Sequence, residues 1–222
     1  MVHIYYHIYS IEGVDSIIDE QIKLIETHFN FPYILNVGIS IADDNSPTDS
    51  IIKRFYDYHK PNYRLRDVRS KGHEFVTLDL IEKDRDKFND SDYIFYLHTK
   101  GASKQGIIGY DNIVSWRKIM NYFNIEKVNN VFQIFEKTTF NTYGILYGEM
   151  GKMKLYSGNF WWMKTEYAKT IDISKTKKNR WNAEINFISN GLNWKPYSPY
   201  NREGENHYDI NFKREEYAKT TN

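Results

Sequence analysis

Residues 2–41 read VHIYYHIYSIEGVDSIIDEQIKLIETHFNFPYILNVGISI, and the residue pattern changes twice within that run. Residues 2–9 are β-branched and aromatic, the composition of a strand. Residues 14–28 place Ile17, Ile18, Ile22, Leu24 and Ile25 at helical spacing, which is the apolar stripe of an amphipathic helix. Residues 33–41 return to strand composition. A strand, a helix and a strand in succession form the unit from which parallel sheets are built, because a parallel neighbour needs a long crossover.

The alternation continues outward. The turn at Asp43–Asp49 offers Ser46 or Thr48 as a helix cap, and a helix is predicted over about 49–59. A strand is predicted over 63–68, a loop and then a helix over 70–82, and a strand over 92–97. Beyond residue 100 the pattern is less regular. Helices are predicted over 112–123, 127–136, 164–170 and 182–190, the last with Gly191 as its C-cap. Strands are predicted over 143–147 and 155–162. Residues 196–214 read as irregular and polar, with a short helix starting near Lys213. No linker rich in Gly, Pro or Ser divides the chain, so residues 1–222 are expected to form one α/β domain with a mainly parallel central sheet flanked by helices.

Composition narrows the function. Thirty basic residues against 29 acidic ones give a net charge of +1, so no global field draws this chain to nucleic acid or to an anionic membrane. Any anion site must be local. With no cysteine there is no disulfide, thiolate zinc site or cysteine nucleophile. No membrane span or signal peptide is legible, and the expected location is the cytoplasm. No G-x-G-x-x-G and no P-loop appear, which disfavours a dinucleotide enzyme or an NTPase.

In open α/β sheets ligands bind beyond the carboxyl ends of the strands. Three such ends carry polar groups: Tyr9-Ser10, Asp43-Asp44-Asn45 and His98-Thr99-Lys100. Asp43 has two readings, turn chemistry or acceptance of a hydrogen bond from a nucleobase or ribose. Lys71, in Ser70-Lys71-Gly72-His73-Glu74, has two as well, a glycine turn or a phosphate contact. His98-Thr99-Lys100 ends an apolar strand with donors and a positive charge, which favours a polar or anionic ligand. In Tyr156-Ser157-Gly158-Asn159-Phe160-Trp161-Trp162, two adjacent indoles on a strand point to opposite faces, one to the core and the other free to stack on a ligand beside Ser157 and Asn159. Glu184, in Arg180-Trp181-Asn182-Ala183-Glu184, is either a first-turn carboxylate or a general base. Arg202 and His207 lie in the polar tail, within reach of a pyrophosphate or in a loose end.

The Asp43–Asp49 turn resembles the loop after the second strand of GT-A-fold nucleotide-sugar glycosyltransferases. The Tyr-Ile-Phe-Tyr-Leu-His-Thr-Lys-Gly run, the Tyr-Ser-Gly-Asn-Phe-Trp-Trp run and the Trp-x-x-Glu helix are together similar to compact glycosyltransferases of bacterial polysaccharide clusters and large DNA viruses. The resemblance spans about residues 2–210. It implies a Rossmann-type GT-A fold with a nucleotide-binding half over about 1–100 and an acceptor-side half over about 101–222. It implies transfer of a sugar from a nucleoside-diphosphate donor, a UDP-sugar by preference, to a glycan or glycoconjugate acceptor, with inversion and a carboxylate base.

On that resemblance Glu184 is the base. Tyr9, Asp43, Lys71, His98, Thr99, Lys100 and His207 serve the donor, and Ser157, Asn159, Trp161 and Trp162 serve the sugar or acceptor. The usual Asp-x-Asp, which holds Mn²⁺ or Mg²⁺ against the diphosphate, is replaced here by His98-Thr99-Lys100. Two expectations follow: either Lys100 supplies the positive charge without a metal, or a cation is held by His98, His207 or a nearby Asp. The competing readings are a non-catalytic carbohydrate-binding or scaffold protein on a decayed transferase fold, and a nucleotidyltransferase. The second needs clustered carboxylates for two metals.

Overall fold

The computed structural model describes residues 1–57, 60–150, 153–174, 178–185 and 187–221. The first half follows the predicted alternation: β1 (Val2–Ser10), α1 (Asp15–His28), β2 (Tyr33–Ile41), α2 (Thr48–Asp57), β3 (Tyr63–Arg69), α3 (Phe75–Asp84) and β4 (Tyr93–His98). The end of the helix expected over 49–59 lies partly outside the described residues. The second half continues with α4 (Tyr110–Asn121), which runs into a π-helical turn, and α5 (Val128–Lys137). Short pieces follow: β5 (Thr142–Gly144), β6 (Tyr147–Met150), β7 (Met153–Tyr156), β8 (Trp161–Lys164), α6 (Thr165–Ala168), α7 (Arg180–Ile185), β9 (Pro196–Tyr197) and α8 (Arg214–Tyr217).

Seven strands form one sheet in the order β3-β2-β1-β4-β8-β5-β9, and β6 and β7 pair as a separate hairpin. β1, β2, β3 and β4 are parallel to their neighbours within that group, while β8 runs antiparallel to both β4 and β5. The sheet is therefore mixed and mostly parallel.

Strand side chains alternate between two cores, as a period of two requires. On one face Ile4, Tyr6 and Ile8 pack with Ile17, Ile18, Ile22 and Ile25 of α1 and with the α4–α5 region. On the other face Tyr5, Ile94 and Tyr96 pack with Phe75, Leu78 and Ile81 of α3. Both faces are covered, which explains why β1 and β4 read as nearly unbroken apolar runs. Gly38 in β2 lets α3 approach closely: a Cβ there would lie 2.3 Å from the Thr77 hydroxyl.

Three expectations are corrected. The strand predicted over 155–162 is two strands, β7 and β8, separated by a turn at 157–160. The turn needs Gly158 at φ +92° and Asn159 at φ +57°, left-handed values that Gly and Asn tolerate best. The strand predicted over 143–147 is divided between β5 and β6. The helix predicted over 182–190 begins earlier and is shorter, and Phe187–Asn190 forms turns, so Gly191 does not cap it. Among the described residues no helix is long and apolar enough to cross a membrane.

Candidate functional site

From β1 the chain winds outward to β2 and β3, then crosses back to place β4 on the other side of β1. The winding direction thus reverses between β1 and β4. At such a point the loops beyond the two carboxyl ends separate and leave a crevice. A cleft of about 180 Å³ lies there, bordered by Tyr9, His98, Thr99 and Lys100 from the strand ends, and by Glu74 and Glu184 from elsewhere.

Two of the three residues ending β4 are engaged within the protein. The Thr99 hydroxyl accepts from the Tyr9 backbone N–H at 3.0 Å, and its own N–H donates to the His7 carbonyl, so Thr99 ties the ends of β1 and β4 together. His98 Nε2 lies 2.9 Å from the Gly158 carbonyl and donates to it. Lys100 differs. The residue is 9% exposed, its Nζ sits 3.9 Å from the centre of the Trp116 ring and 5.7 Å from that of Tyr208, and no carboxylate pairs with it among the described residues. Aromatic faces hold a cation with about 0.5–2 kcal/mol and do not neutralise it. The backbone beneath Lys100 is fixed by Arg117, which donates to the Lys100 carbonyl at 3.0 Å and pairs with Glu20.

The turn between β7 and β8 assembles the rest of the site. The Gly158 N–H donates to Glu184 Oε1 at 2.8 Å, which holds the α7 carboxylate at the cleft wall. The second oxygen of Glu184 takes no protein partner among the described residues. The Asn159 amide donates to Glu74 Oε2, whose other donor is the Tyr96 hydroxyl at 2.7 Å. Burial, and then Glu74, push the Tyr96 phenol well above its ordinary pKa, so it stays protonated and remains a donor. Ser157 Oγ meets His207 Nδ1 at 2.8 Å. One four-residue turn thereby links β4, α3, α7 and the tail. Gly158 has no room for a side chain, because a Cβ would lie 2.4 Å from Met120 Sδ.

Several expected site residues have other work. Both tryptophans of β8 are 0% exposed, in opposite cores. Trp162 stacks on Phe95 at 4.6 Å and Trp161 on Tyr96 at 5.0 Å, so neither presents a ring face to a ligand. Asn159 is 2% exposed, and its carbonyl oxygen accepts from Trp161 Nε1 while its amide holds Glu74, so it orients a carboxylate from inside the protein. Asp43 is exposed, and its carboxylate accepts from Asn45 N–H and Ser46 Oγ, which is turn chemistry away from the cleft. Lys71 is exposed and does not border the cleft. Arg202 pairs with Glu205.

The side chains named for a cation do not converge on a common point. Among the described residues no three His, Asp or Glu side chains converge to hold an ion. His98 gives Nε2 to Gly158, and both His207 nitrogens are engaged, by Ser157 and by the Arg202 carbonyl. Burial lowers the pKa of His207, and the nearby Lys100 charge adds to that effect.

Three groups at the cleft have no counterpart among the expected residues. Glu74 is brought in by Asn159, 85 positions away, and Glu in a loop gives no local sign of this. His7 stands beneath the cleft with both ring nitrogens bonded, Nδ1 to Thr77 at 3.0 Å and Nε2 to Ser40 at 3.2 Å. Burial lowers its pKa to about 3, so it is neutral. Trp181 borders the cleft from α7 and is 71% exposed. Its Trp-x-x-Glu spacing to Glu184 was the available signal.

No protein-family model matches the chain, and no curated protein matches it.

Proposed function

We propose that this protein is a glycosyltransferase of the GT-A kind that moves a sugar, with inversion, from a nucleoside-diphosphate donor such as a UDP-sugar to a glycan acceptor. The observation that carries this reading is Lys100: a nearly buried ammonium without a carboxylate partner among the described residues, in a cleft at the winding reversal of the sheet. A buried cation in that state favours an anion brought by the ligand.

In the proposed reaction Glu184 takes the proton from the attacking acceptor hydroxyl through its unpartnered oxygen. The acceptor oxygen bonds to the anomeric carbon, the bond from that carbon to the diphosphate oxygen breaks, and the electron pair leaves with the diphosphate. Lys100 neutralises the departing charge, a form of preorganised electrostatic stabilisation. Glu74 borders the same cleft, where its remaining oxygen can accept a donor hydroxyl. In this reading Tyr9, which borders the same cleft, meets the nucleoside.

The test is titration calorimetry of UDP, GDP, TDP and CDP, each with Mn²⁺ and with EDTA. One nucleotide is expected to bind, to keep its affinity in EDTA, and to lose at least tenfold in Lys100→Ala. Binding that vanishes in EDTA would transfer the charge role from Lys100 to a cation. No nucleotide binding under either condition would overturn the transferase reading in favour of a non-catalytic carbohydrate-binding protein.

A further inference from the structure

Among the large apolar side chains that the described residues leave exposed, only Trp181 and Tyr208 border the cleft. Tyr208 is occupied, with its ring near the Lys100 ammonium and edge-on to Trp116 at 5.2 Å. Among the described residues Trp181 makes no ring contact and no side-chain hydrogen bond, yet it holds an indole at the mouth of a polar cleft with 71% of its surface in water. An indole offers a broad apolar face with one N–H donor at its edge, a form suited to an amphipathic ligand.

Its position on α7 specifies the ligand further. Trp181 and Glu184 lie three positions apart on one helical turn, so they share a face with their Cβ atoms roughly 5–6 Å apart. Both border the cleft. A hydroxyl that approaches the Glu184 carboxylate therefore belongs to a group lying within one ring diameter of the indole. A pyranose meets both demands, because one of its faces can be mostly C–H while its rim carries hydroxyls. A protein side chain or a lipid alcohol would place an alkyl chain there and leave the polar groups around it unmatched.

We infer that the free face of Trp181 is the platform for the sugar ring whose hydroxyl Glu184 addresses, so that the acceptor is a carbohydrate. The word acceptor rests on the transferase reading, while the platform itself does not. The chain has five tryptophans. In a ¹H–¹⁵N spectrum their indole signals are separable, and the Trp181 signal is the one missing from Trp181→Phe. The probes are the methyl glycosides of β-glucose, β-galactose, α-mannose and α-rhamnose. At least one is expected to shift the Trp181 signal saturably and leave the two β8 indoles unmoved. Its affinity should fall a few-fold in Trp181→Phe and at least tenfold in Trp181→Ala.

If no glycoside moves the Trp181 signal, the inference is overturned. It is overturned equally if a glycoside binds with unchanged affinity in Trp181→Ala. Nucleotide calorimetry on the unmodified protein separates the two readings. A glycoside response at Trp181 without nucleotide binding supports the platform and removes the transferase.

Discussion

The carboxyl ends of β2 and β4 are alike in kind: each apolar strand runs into a short cluster of charged and hydroxyl side chains. Their fates differ. At the end of β2, Asp43 spends its carboxylate on Asn45 and Ser46, and the Ser10 and Thr48 hydroxyls pair at 2.9 Å. At the end of β4, Thr99 and His98 pair with backbone, while the Lys100 side chain lies against aromatic rings and pairs with no carboxylate among the described residues. β2 lies inside the first winding of the sheet, whereas β4 flanks its reversal. Polar residues at a strand end therefore do not mark a site by themselves. What marks it is position at the reversal, together with a charge that the neighbouring chain leaves unmatched.

That contrast can be broken or sharpened by substitution. The largest effect is expected from Glu184→Gln, which keeps the Gly158 hydrogen bond and removes the proposed base. Turnover should fall by about 10²–10⁴-fold with nucleotide affinity kept within a few-fold, read by coupled assay and calorimetry. An equal loss of both would give Glu184 a role in folding alone. Next, Gly158→Ala forces a Cβ onto Met120 in a left-handed backbone, and should cost roughly 2–4 kcal/mol in urea denaturation. Wild-type stability in this variant would mean that the turn is not the joint described above.

Lys100→Met should then weaken nucleotide diphosphate by roughly 10–100-fold, the loss of about 1.5–3 kcal/mol for a bond to a charged group. Lys71→Met, on an exposed loop, should leave it within twofold. Equal effects would erase the distinction between strand ends.

A smaller effect concerns pH. His7 has a folded pKa of about 3 against an ordinary value near 6.5. Between those values the unfolded chain binds the extra proton, so stability is full above about 6.5 and is lost as pH falls toward 3. The slope reaches about 1.4 kcal/mol per pH unit. His7→Gln should flatten the fall in melting temperature between pH 6 and pH 4, and an unchanged fall would remove His7 as its source. The smallest effect is expected from Asp43→Asn, which retains an oxygen for the turn: less than about 0.5 kcal/mol in stability and no change in nucleotide affinity. A clear loss of affinity would restore Asp43 to the site.

The legibility of the chain follows the same division. The β1-α1-β2 unit was readable because its periods run for nine to fourteen residues, long enough to average out exceptions. The β7–β8 break was harder, since Tyr156 to Trp162 has strand composition on both sides of the turn. Ser157-Gly158-Asn159 carried the sign of the break, a Gly-Asn pair suited to positive φ, but read equally well as sugar-binding chemistry. The two adjacent tryptophans were correctly given opposite faces, and the presence of a core on each face of the sheet removed both from solvent. Lys100, His98 and Glu184 were legible as candidates because they follow recognisable elements. Glu74 was not, because its place depends on a partner that the fold, and not the local sequence, supplies.

The turn at Ser157–Phe160 has a consequence for the order of events in folding. Its bonds join residues 60, 85, 26 and 50 positions apart, to His98, Glu74, Glu184 and His207. Glu184 and His207 are synthesised well after β4, so their bonds to the turn close after the four parallel strands are available to pair. During synthesis β1 to β4 can emerge and pair while the cleft still lacks one wall. The parallel core is thus able to form as a nucleus before the polar groups of the site are brought together, and the Gly158 amide should be among the last to gain protection from hydrogen exchange. The cleft is thus completed on a scaffold able to fold before it.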